Sequence, residues 1–550
     1  MNGITKQVLL AALMILLGVP AQAVKTLVIV SSDQHSQYDF VEDYIRSTSV
    51  IRQKFLERNP DGVVIYLING DFGGKSQWTT FDKGQLGYEI VGTLSKEKQF
   101  ILGWGNHDGF DFADQHGNEF FLQQNKALLN VISKNHGKPS YLIGSNFNLT
   151  QQGKTIFRPY QDVVTPQGET RRYVGVMYDE FYKKSSYNRT NGVQLIRDQI
   201  PVVDYLKDQM LAAARDGVNV VYIMAHEAEN KLRPIIETLN DWKLSQPSLS
   251  NLRIPVVYAA HNHEVSQEKL GDTWLINSGS YYQYTAVVLN EDGDLESHQF
   301  MGHKDQLTLG KEAKLTPAED KVLTMISTEK AKIKEELGLS INIFESQGYA
   351  ETKKDFKKGR VRLGNLICDA MRDYGVNELN TTPPPYKISG VLSFLTSSVY
   401  RREFPIPAGH ISYSDILSML PEDTETMKIG DIDGKSLQLL FSNIRAERIL
   451  SQKKSDAYSP QLPSNVRETQ NFQLEIQDSK NVWSPLDPKK TYRVVFDHWL
   501  GKNGPEIQEA NRIFKEKVKW IQPVKSYTVA NALVEFGKLD QRSCESALNP

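Results

Sequence analysis

Between residues 24 and about 305 the chain alternates two kinds of apolar pattern. Short continuous runs recur: "TLVIV" (26–30), "GVVIYLIN" (62–69), "QFILGW" (99–104), "YVGVMY" (173–178), "VNVVYIMA" (218–225) and "IPVVYAA" (254–260). They are rich in Val and Ile and show no polar alternation, so they read as strands buried on both faces. Between several of them lie stretches of helical periodicity, "YIRSTSVIRQKFLER" (44–58), "VDYLKDQMLAAARD" (203–216) and "EAENKLRPIIETLNDW" (227–242). Strands alternating with helices predict a layered α/β domain. Residues 316–338, "TPAEDKVLTMISTEKAKIKEELG", read as a charged, solvated linker helix, with Thr316 as cap, Pro317 in the first turn and Glu319 closing a capping box. Residues 339–550 mix helices with short strands and read as a second, smaller α+β domain. The Pro-rich "TTPPPYK" (381–387) is a loop inside it.

The length of 550 residues exceeds what one core supports and agrees with this division. Net charge is −2, so nothing in the composition suggests binding of a nucleic-acid polymer. The first 23 residues change the picture: Lys6, then "VLLAALMILLGVP", then "AQA" read as an export signal cleaved after Ala23. The rival reading is an uncleaved anchor, although the run is short for a span. The expected domains are therefore 1–23 signal, 24–315 catalytic, 316–338 linker and 339–550 C-terminal, with the mature protein periplasmic or extracellular. The two cysteines, Cys368 and Cys544, form one disulfide in such a compartment or remain separate thiols.

The chemistry gathers where the apolar runs stop. Asp33 and His35 follow the first; Gly70 and Asp71 the second; Asn106, His107 and Asp108 the third; His226 and Glu227 the fifth; His261 and His263 the sixth. In layered α/β folds ligands sit beyond the carboxyl ends of the strands. Imidazole nitrogen, carboxylate oxygen and the neutral amide oxygen of Asn suit zinc, manganese, iron and similar divalent ions. An aspartate placed like Asp71 can bridge two ions with its two oxygens. Each motif alone is weak, since a single His after a strand is more often structural. Five polar strand ends in one domain are hard to obtain by chance.

With these residues in place, the chain resembles the calcineurin-like metallophosphoesterases, and within them the secreted 5′-nucleotidase family. "RLGNLICDAMR" (362–372) and "IPAGHISYSDILSMLP" (406–421) are similar to motifs of that family's C-terminal domain. The resemblance implies a four-layer α/β/β/α metallophosphoesterase domain joined by a helix to the smaller domain. It implies two divalent ions: one held by Asp33, His35, Asp71 and His263, the other by Asp71, Asn106, His226 and His261. His107 matches the family's catalytic histidine. "GNHDGFD" (105–111) is one residue longer than the family's segment, so the acid beside His107 is Asp111 or Asp108, with Asp111 favoured.

The family's nucleoside clamp is less well matched. Of its first loop only Arg401 in "TSSVYR" (396–401) corresponds, as a contact for a phosphate oxygen; Glu422 stands where a ring is expected. In "FDHWLGKNG" (496–504), Phe496 or Trp499 supplies a stacking ring and Asn503 replaces an Asp. "SGSYYQY" (278–284) lines the pocket or packs a strand. The implied activity is hydrolysis of a small phosphoester, first a nucleotide monoester. The alternatives are a 2′,3′-cyclic-nucleotide phosphodiesterase, a nucleotide-sugar hydrolase, and a non-catalytic binding protein on the same scaffold.

Overall fold

A computed structural model describes residues 26–74, 84–108, 158–178, 200–336, 361–395, 427–450, 461–497 and 508–523, apart from one or two positions within some of them, and shorter pieces between. The chain divides into two compact units, one ending at Ala331 and one starting at Lys332. In chain order the main elements of the first are β1 (Thr26–Ser31), α1 (Val41–Arg58), β2 (Val63–Asn69), α2 (Gln85–Leu94), β3 (Gln99–Gly103) and β4 (Tyr141–Leu142). Then come β5 (Tyr160–Val164), β6 (Thr170–Met177), α3 (Val202–Arg215), β7 (Val220–His226), α4 (Glu229–Leu244) and β8 (Val256–Ala259). The unit closes with β9 (Val265–Leu270), β10 (Thr273–Ser278), β11 (Tyr284–Glu291), β12 (Asp294–Gly302), α5 (His303–Gly310) and α6 (Pro317–Glu336).

The strands form two six-stranded sheets. The first has the order β12-β11-β1-β2-β3-β4, with β1 to β4 parallel. The second has the order β9-β10-β8-β7-β6-β5, with β10, β8, β7 and β6 parallel. The sheets pack face to face through Val28, Val30, Ile65, Leu67, Tyr222, Met224, Val256 and Tyr258. Residues of the opposite parity are buried too. Leu27, Ile29 and Ile68 face away from the other sheet, on the side where α1 packs against β1. Val221, Ile223 and Val257 pack with Leu206 and Met210 of α3 and Leu232 and Ile236 of α4. This is the helix–sheet–sheet–helix layering that the family resemblance implies, with the strands buried on both faces as the continuous apolar runs predict. Each fully buried aliphatic side chain contributes about 1.5–3 kcal/mol. Polar side chains also cross the interface: Asn69 donates from Nδ2 to the carbonyls of Ala225 (3.2 Å) and Tyr258 (2.8 Å), pinning the end of β2 to β7 and β8, and Arg171 donates to Thr26 Oγ1 (2.6 Å).

Helix α6 departs from the expected solvated linker. Glu319, Val322 and Ile326 are buried, and the carboxylate of Glu319 meets Lys98 Nζ at 2.7 Å. The capping box forms, with Thr316 N–H donating to Glu319 Oε2 (2.8 Å) and Glu319 N–H to Thr316 Oγ1 (3.3 Å). The charge of this helix is therefore partly internal, and its first turns belong to the first unit. The division between the units falls inside the helix.

In the second unit α7 (Arg362–Thr381), β13 (Ile388–Phe394), β14 (Lys428–Asp433), α8 (Gly434–Leu450), β15 (Thr491–Phe496), α9 (Gln508–Lys517) and β16 (Lys519–Ile521) build a mixed sheet in the order β13-β15-β14-β16. Helix α7 covers one face through Leu363, Ile367 and Met371, which pack with Val495 and Ile429. Helices α8 and α9 cover the other through Leu440, Phe441 and Phe514, which pack with Val494 and Phe496. Cys368 is buried in this unit; Cys544 and residues 1–25 lie outside the described residues.

Candidate metal centre

The parallel strands of both sheets end on one rim, and the loops that follow them are tied side by side. Asp33 N–H donates to Gly70 O (3.1 Å), His35 N–H to Asp71 O (2.8 Å) and Ala260 N–H to Glu227 O (3.2 Å). To turn their side chains back across the rim, several loop residues take left-handed backbone conformations: Asp33 (φ 48°), His35 (47°), Asp71 (48°), His261 (74°) and His263 (62°). Such conformations are unfavourable for residues with a Cβ and cluster where structure is held for function. Two glycines make the close approach possible. A Cβ on Gly70 (φ 80°) would lie 2.4 Å from His226 Nδ1, and one on Gly105 would lie 2.1 Å from Asp71 Oδ1.

Three overlapping groups of ligand atoms result, each within 4.8 Å of one another: Asp33, His35 and His263; Asp71, His226 and His261; and His35, Asp71 and His107. In the first, His35 Nε2 and His263 Nε2 stand 3.1 Å apart, and His263 Nε2 is 3.6 Å from Asp33 Oδ1. In the second, His226 Nε2 lies 3.1 Å from Asp71 Oδ2 and 3.1 Å from Asn106 Oδ1, which is 2.9 Å from His261 Nδ1. A separation near 3 Å between two imidazole nitrogens is what neighbouring ligands of one ion show when each bond is about 2.1 Å. The tautomer of His226 is set from behind, because its Nδ1–H donates to the carbonyl of Asn69 (3.1 Å) and leaves Nε2 as the ligand atom.

Asp71 stands between the groups. Its Oδ1 accepts the backbone N–H of His107 (2.7 Å). Oδ2 faces both sides, 3.1 Å from His226 Nε2 and 3.7 Å from His35 Nε2. Asp33 accepts the N–H of His261 on both oxygens (3.0 Å each), so the ends of β1 and β8 are stapled together. Asp33, His35, Asp71 and His226 are buried, whereas Asn106, His107, His261 and His263 are partly exposed, giving the site a closed floor and an open face.

Residues 26–265 match the family model of calcineurin-like phosphoesterases, and residues 341–512 match that of the 5′-nucleotidase C-terminal domain. The chain combines a calcineurin-like phosphoesterase domain with a 5′-nucleotidase C-terminal domain. That membership makes it a metal-dependent phosphoester hydrolase. Among solved structures it is similar to a 5′-nucleotidase precursor from Thermus thermophilus (15% identity, TM-score 0.63, covering 94% of this chain and 96% of that one). It is also similar to a 5′-nucleotidase from Candida albicans (13%, TM-score 0.60, 94% and 98%). The sulfate thiohydrolase SoxB of Thermus thermophilus is likewise similar (12%, TM-score 0.61, 94% and 94%). At these identities the likeness is one of fold. No curated protein matches the sequence.

The electrostatics of the phosphoesterase rim call for added positive charge. Burial pushes the Asp33 carboxyl up to about 7 against the pull of His226, and the charge of Asp71 adds to the rise. Burial also pushes Asp71 up, but His226, His107 and His35 more than offset this and hold it far below the usual carboxylate range. His226 is held up at about 9, burial being outweighed by Asp71 and then Asp33. Two carboxylates and a ring of imidazoles thus compete for too few protons, and divalent cations would let all of them take their ligand forms. The nitrogen and oxygen donor set fits such ions.

Asp108 ties the loops together. Its two oxygens accept Gly73 N–H (2.6 Å) and Gly105 N–H (2.7 Å), and burial followed by the charge of Asp71 pushes it up to about 7. Asp111, Arg401, Trp499 and Asn503 lie outside the described residues. Phe496 is corrected: it is 1% exposed, stacked on Phe394 (6.0 Å) with Phe514 edge-on (5.1 Å), so its ring belongs to the core of the second unit and offers no face to a base. Sequence reasoning missed Tyr178, whose ring lies 5.0 Å from that of His261, and the network in which Asn262 is held by Glu229 and by Asn277 Nδ2 (2.7 Å). A polar residue between the two histidines of a His-x-His was the available signal for the latter.

Proposed function

We propose that this phosphoesterase hydrolyses nucleotide phosphomonoesters with two divalent ions, one held by Asp33, His35, Asp71 and His263 and the other by Asp71, Asn106, His226 and His261. The observation that carries the reading is Asp71 Oδ2, a single oxygen turned toward imidazoles of both sets. Divalent ions bound in pairs supply Lewis acidity toward phosphoryl oxygens and lower the pKa of water. The chain's own groups do the rest. The left-handed loops and the Asn69 clamp hold the ligands in place before substrate arrives, so little reorganisation accompanies the reaction. His107 stands on the open side, its ring edge-on to that of His35 at 4.7 Å, where its N–H can stabilise charge on the phosphoryl group or protonate the leaving alkoxide. Asp111 is the acid that would orient it. Arg401 would hold a phosphate oxygen, and Trp499 and Asn503 the nucleoside. With an export signal over residues 1–23 the enzyme would act outside the cytoplasm. Among the described residues no helix is long and apolar enough to cross a membrane.

The test is a substrate panel on the metal-loaded chain: 5′-AMP, 2′,3′-cyclic AMP and a nucleotide sugar. Metal-dependent phosphate release is expected to be fastest from 5′-AMP. Preference for the cyclic ester would move the assignment to a phosphodiesterase. Absence of turnover on all three, with metal bound, would leave a binding protein.

A further inference from the structure

The segment "SGSYYQY" follows β10 and is bound to the rim at several points. Gly279 (φ 83°) is followed by Tyr281 (φ 58°) and Tyr282 (φ 59°), two non-glycine residues in the left-handed region within one turn. The described non-glycine residues that share this conformation are otherwise the ligand positions of the rim, the adjoining Ser36, and Asn481 in the second unit. The turn is fixed from three sides. Tyr281 N–H donates to Asp33 O (3.0 Å). Ser32 Oγ donates to Gly279 O (2.7 Å). Asn277, at the end of β10, accepts Gly279 N–H on Oδ1 (3.1 Å) and donates from Nδ2 to Asn262, the residue between the two rim histidines.

The two rings then part. Tyr282 goes to the core, 5.0 Å from Tyr44 of α1. Tyr281 goes to the rim, where its ring is edge-on to His263 (5.1 Å, 85°) and tilted against His35 (5.6 Å, 47°). It is 5% exposed. His35 and His263 are the pair whose Nε2 atoms converge at 3.1 Å. A rigid ring wedged against both imidazoles fixes the angle between them, and an imidazole binds an ion only along its lone pair.

We propose that Tyr281 is a positioning residue for one half of the metal centre, the half made by Asp33, His35 and His263. This rests on the two-ion reading above. The strained turn brings one ring against both imidazoles while its backbone holds the loop that carries Asp33.

The test is calorimetric titration of Mn²⁺ into the chelator-treated full chain, for the wild type, Tyr281→Ala, Tyr281→Phe and His35→Ala. Tyr281→Ala is expected to weaken one class of bound ion by about 10–100-fold, the range for residues that orient ligands, and to leave the other unchanged. It should follow His35→Ala in which class it affects. Tyr281→Phe, which keeps the ring, should retain both. With saturating Mn²⁺, Tyr281→Ala should recover turnover with KM unchanged. Unfolding in chelator reports whether the variants are folded; Tyr281→Leu replaces alanine if they are not. Equal weakening of both classes, or of neither, overturns the proposal. If the wild type binds a single ion, the two-ion reading fails. The role of Tyr281 then stands only if its loss weakens that ion as His35→Ala does.

Discussion

The first unit buries charge at the rim and beneath helix α6, among other places, and these two differ in how the charge is balanced. Under α6, Lys98 and Glu319 meet at 2.7 Å, and the second carboxylate oxygen accepts Ser49 Oγ (3.0 Å) and Thr316 N–H (2.8 Å). The ammonium also lies over the ring of Tyr66, 4.5 Å from its centre. Burial pushes Glu319 up, yet Lys98 and the donated hydrogen bonds outweigh it and hold the carboxyl low. Burial pulls the Lys98 ammonium below its ordinary value and Glu319 offsets this only in part, but each charge has its partner within the chain. At the rim the charges are not balanced. Asp33 and Asp71 are driven in opposite directions, and His35 and His263 point ligand atoms at each other. Buried charge alone is therefore a poor sign of function; buried charge that its neighbours cannot neutralise is a good one.

The largest effect expected from breaking this contrast is at Asp71. Asp71→Asn removes an oxygen facing both imidazole sets, so turnover should fall by more than about 10²-fold, beyond what loss of an orienting residue causes. The amide should leave the fold intact. Gly105→Ala should act nearly as strongly without replacing a ligand, because the new Cβ falls 2.1 Å from Asp71 Oδ1 and displaces the carboxylate. Metal titration and phosphate release check both. If Gly105→Ala bound metal and turned over normally, the fixed placement of Asp71 would not matter.

The α6 pair should answer in the opposite way. Glu319→Ala leaves an ammonium buried without its partner, which costs about 3–5 kcal/mol. Urea unfolding should show that loss while turnover per folded molecule stays unchanged. The double replacement Lys98→Met with Glu319→Leu should recover most of the stability, since a closed buried pair adds little over apolar packing. A double variant as unstable as the single one would mean the pair is more than a latch.

The same contrast explains what could be read from the sequence. The rim was legible because parallel strands buried on both faces leave Val- and Ile-rich runs, and polar residues after each run stand out. The α6 contact was not, because its buried face is carried by Glu319, Val322 and Ile326, spaced by three and four, and the first of these counts as surface charge until Lys98, over two hundred positions away, is seen beside it. Phe496 was misread for a related reason. Strand β15 is covered on both faces, so Val495 and Phe496 are both interior, and the residue beside a candidate loop looked available. For Tyr281 and Asn262 the sequence marked the segment, the aromatic "SGSYYQY" and the His-x-His, but not the role, because orientation of a neighbour leaves no compositional trace.

The smallest effect is one of pH, and it belongs to the latch. Glu319 is held below its ordinary value of 4.5 in the folded chain, burial being outweighed by Lys98. A depressed acid stabilises the fold fully above its unfolded value, and that contribution is lost as pH falls through the lower folded value. The stability gap between the wild type and Glu319→Gln should therefore stay level from neutral pH down to about 4.5 and narrow only below it. Metal binding at the rim weakens in acid as well, because protons compete for its ligands, but that loss appears in a metal titration and is absent in chelator. Unfolding in chelator across the acid range isolates the latch. A gap that closes well above about 4.5 would show that Glu319 is protonated in the folded chain, and the pair under α6 would then be no ion pair at all.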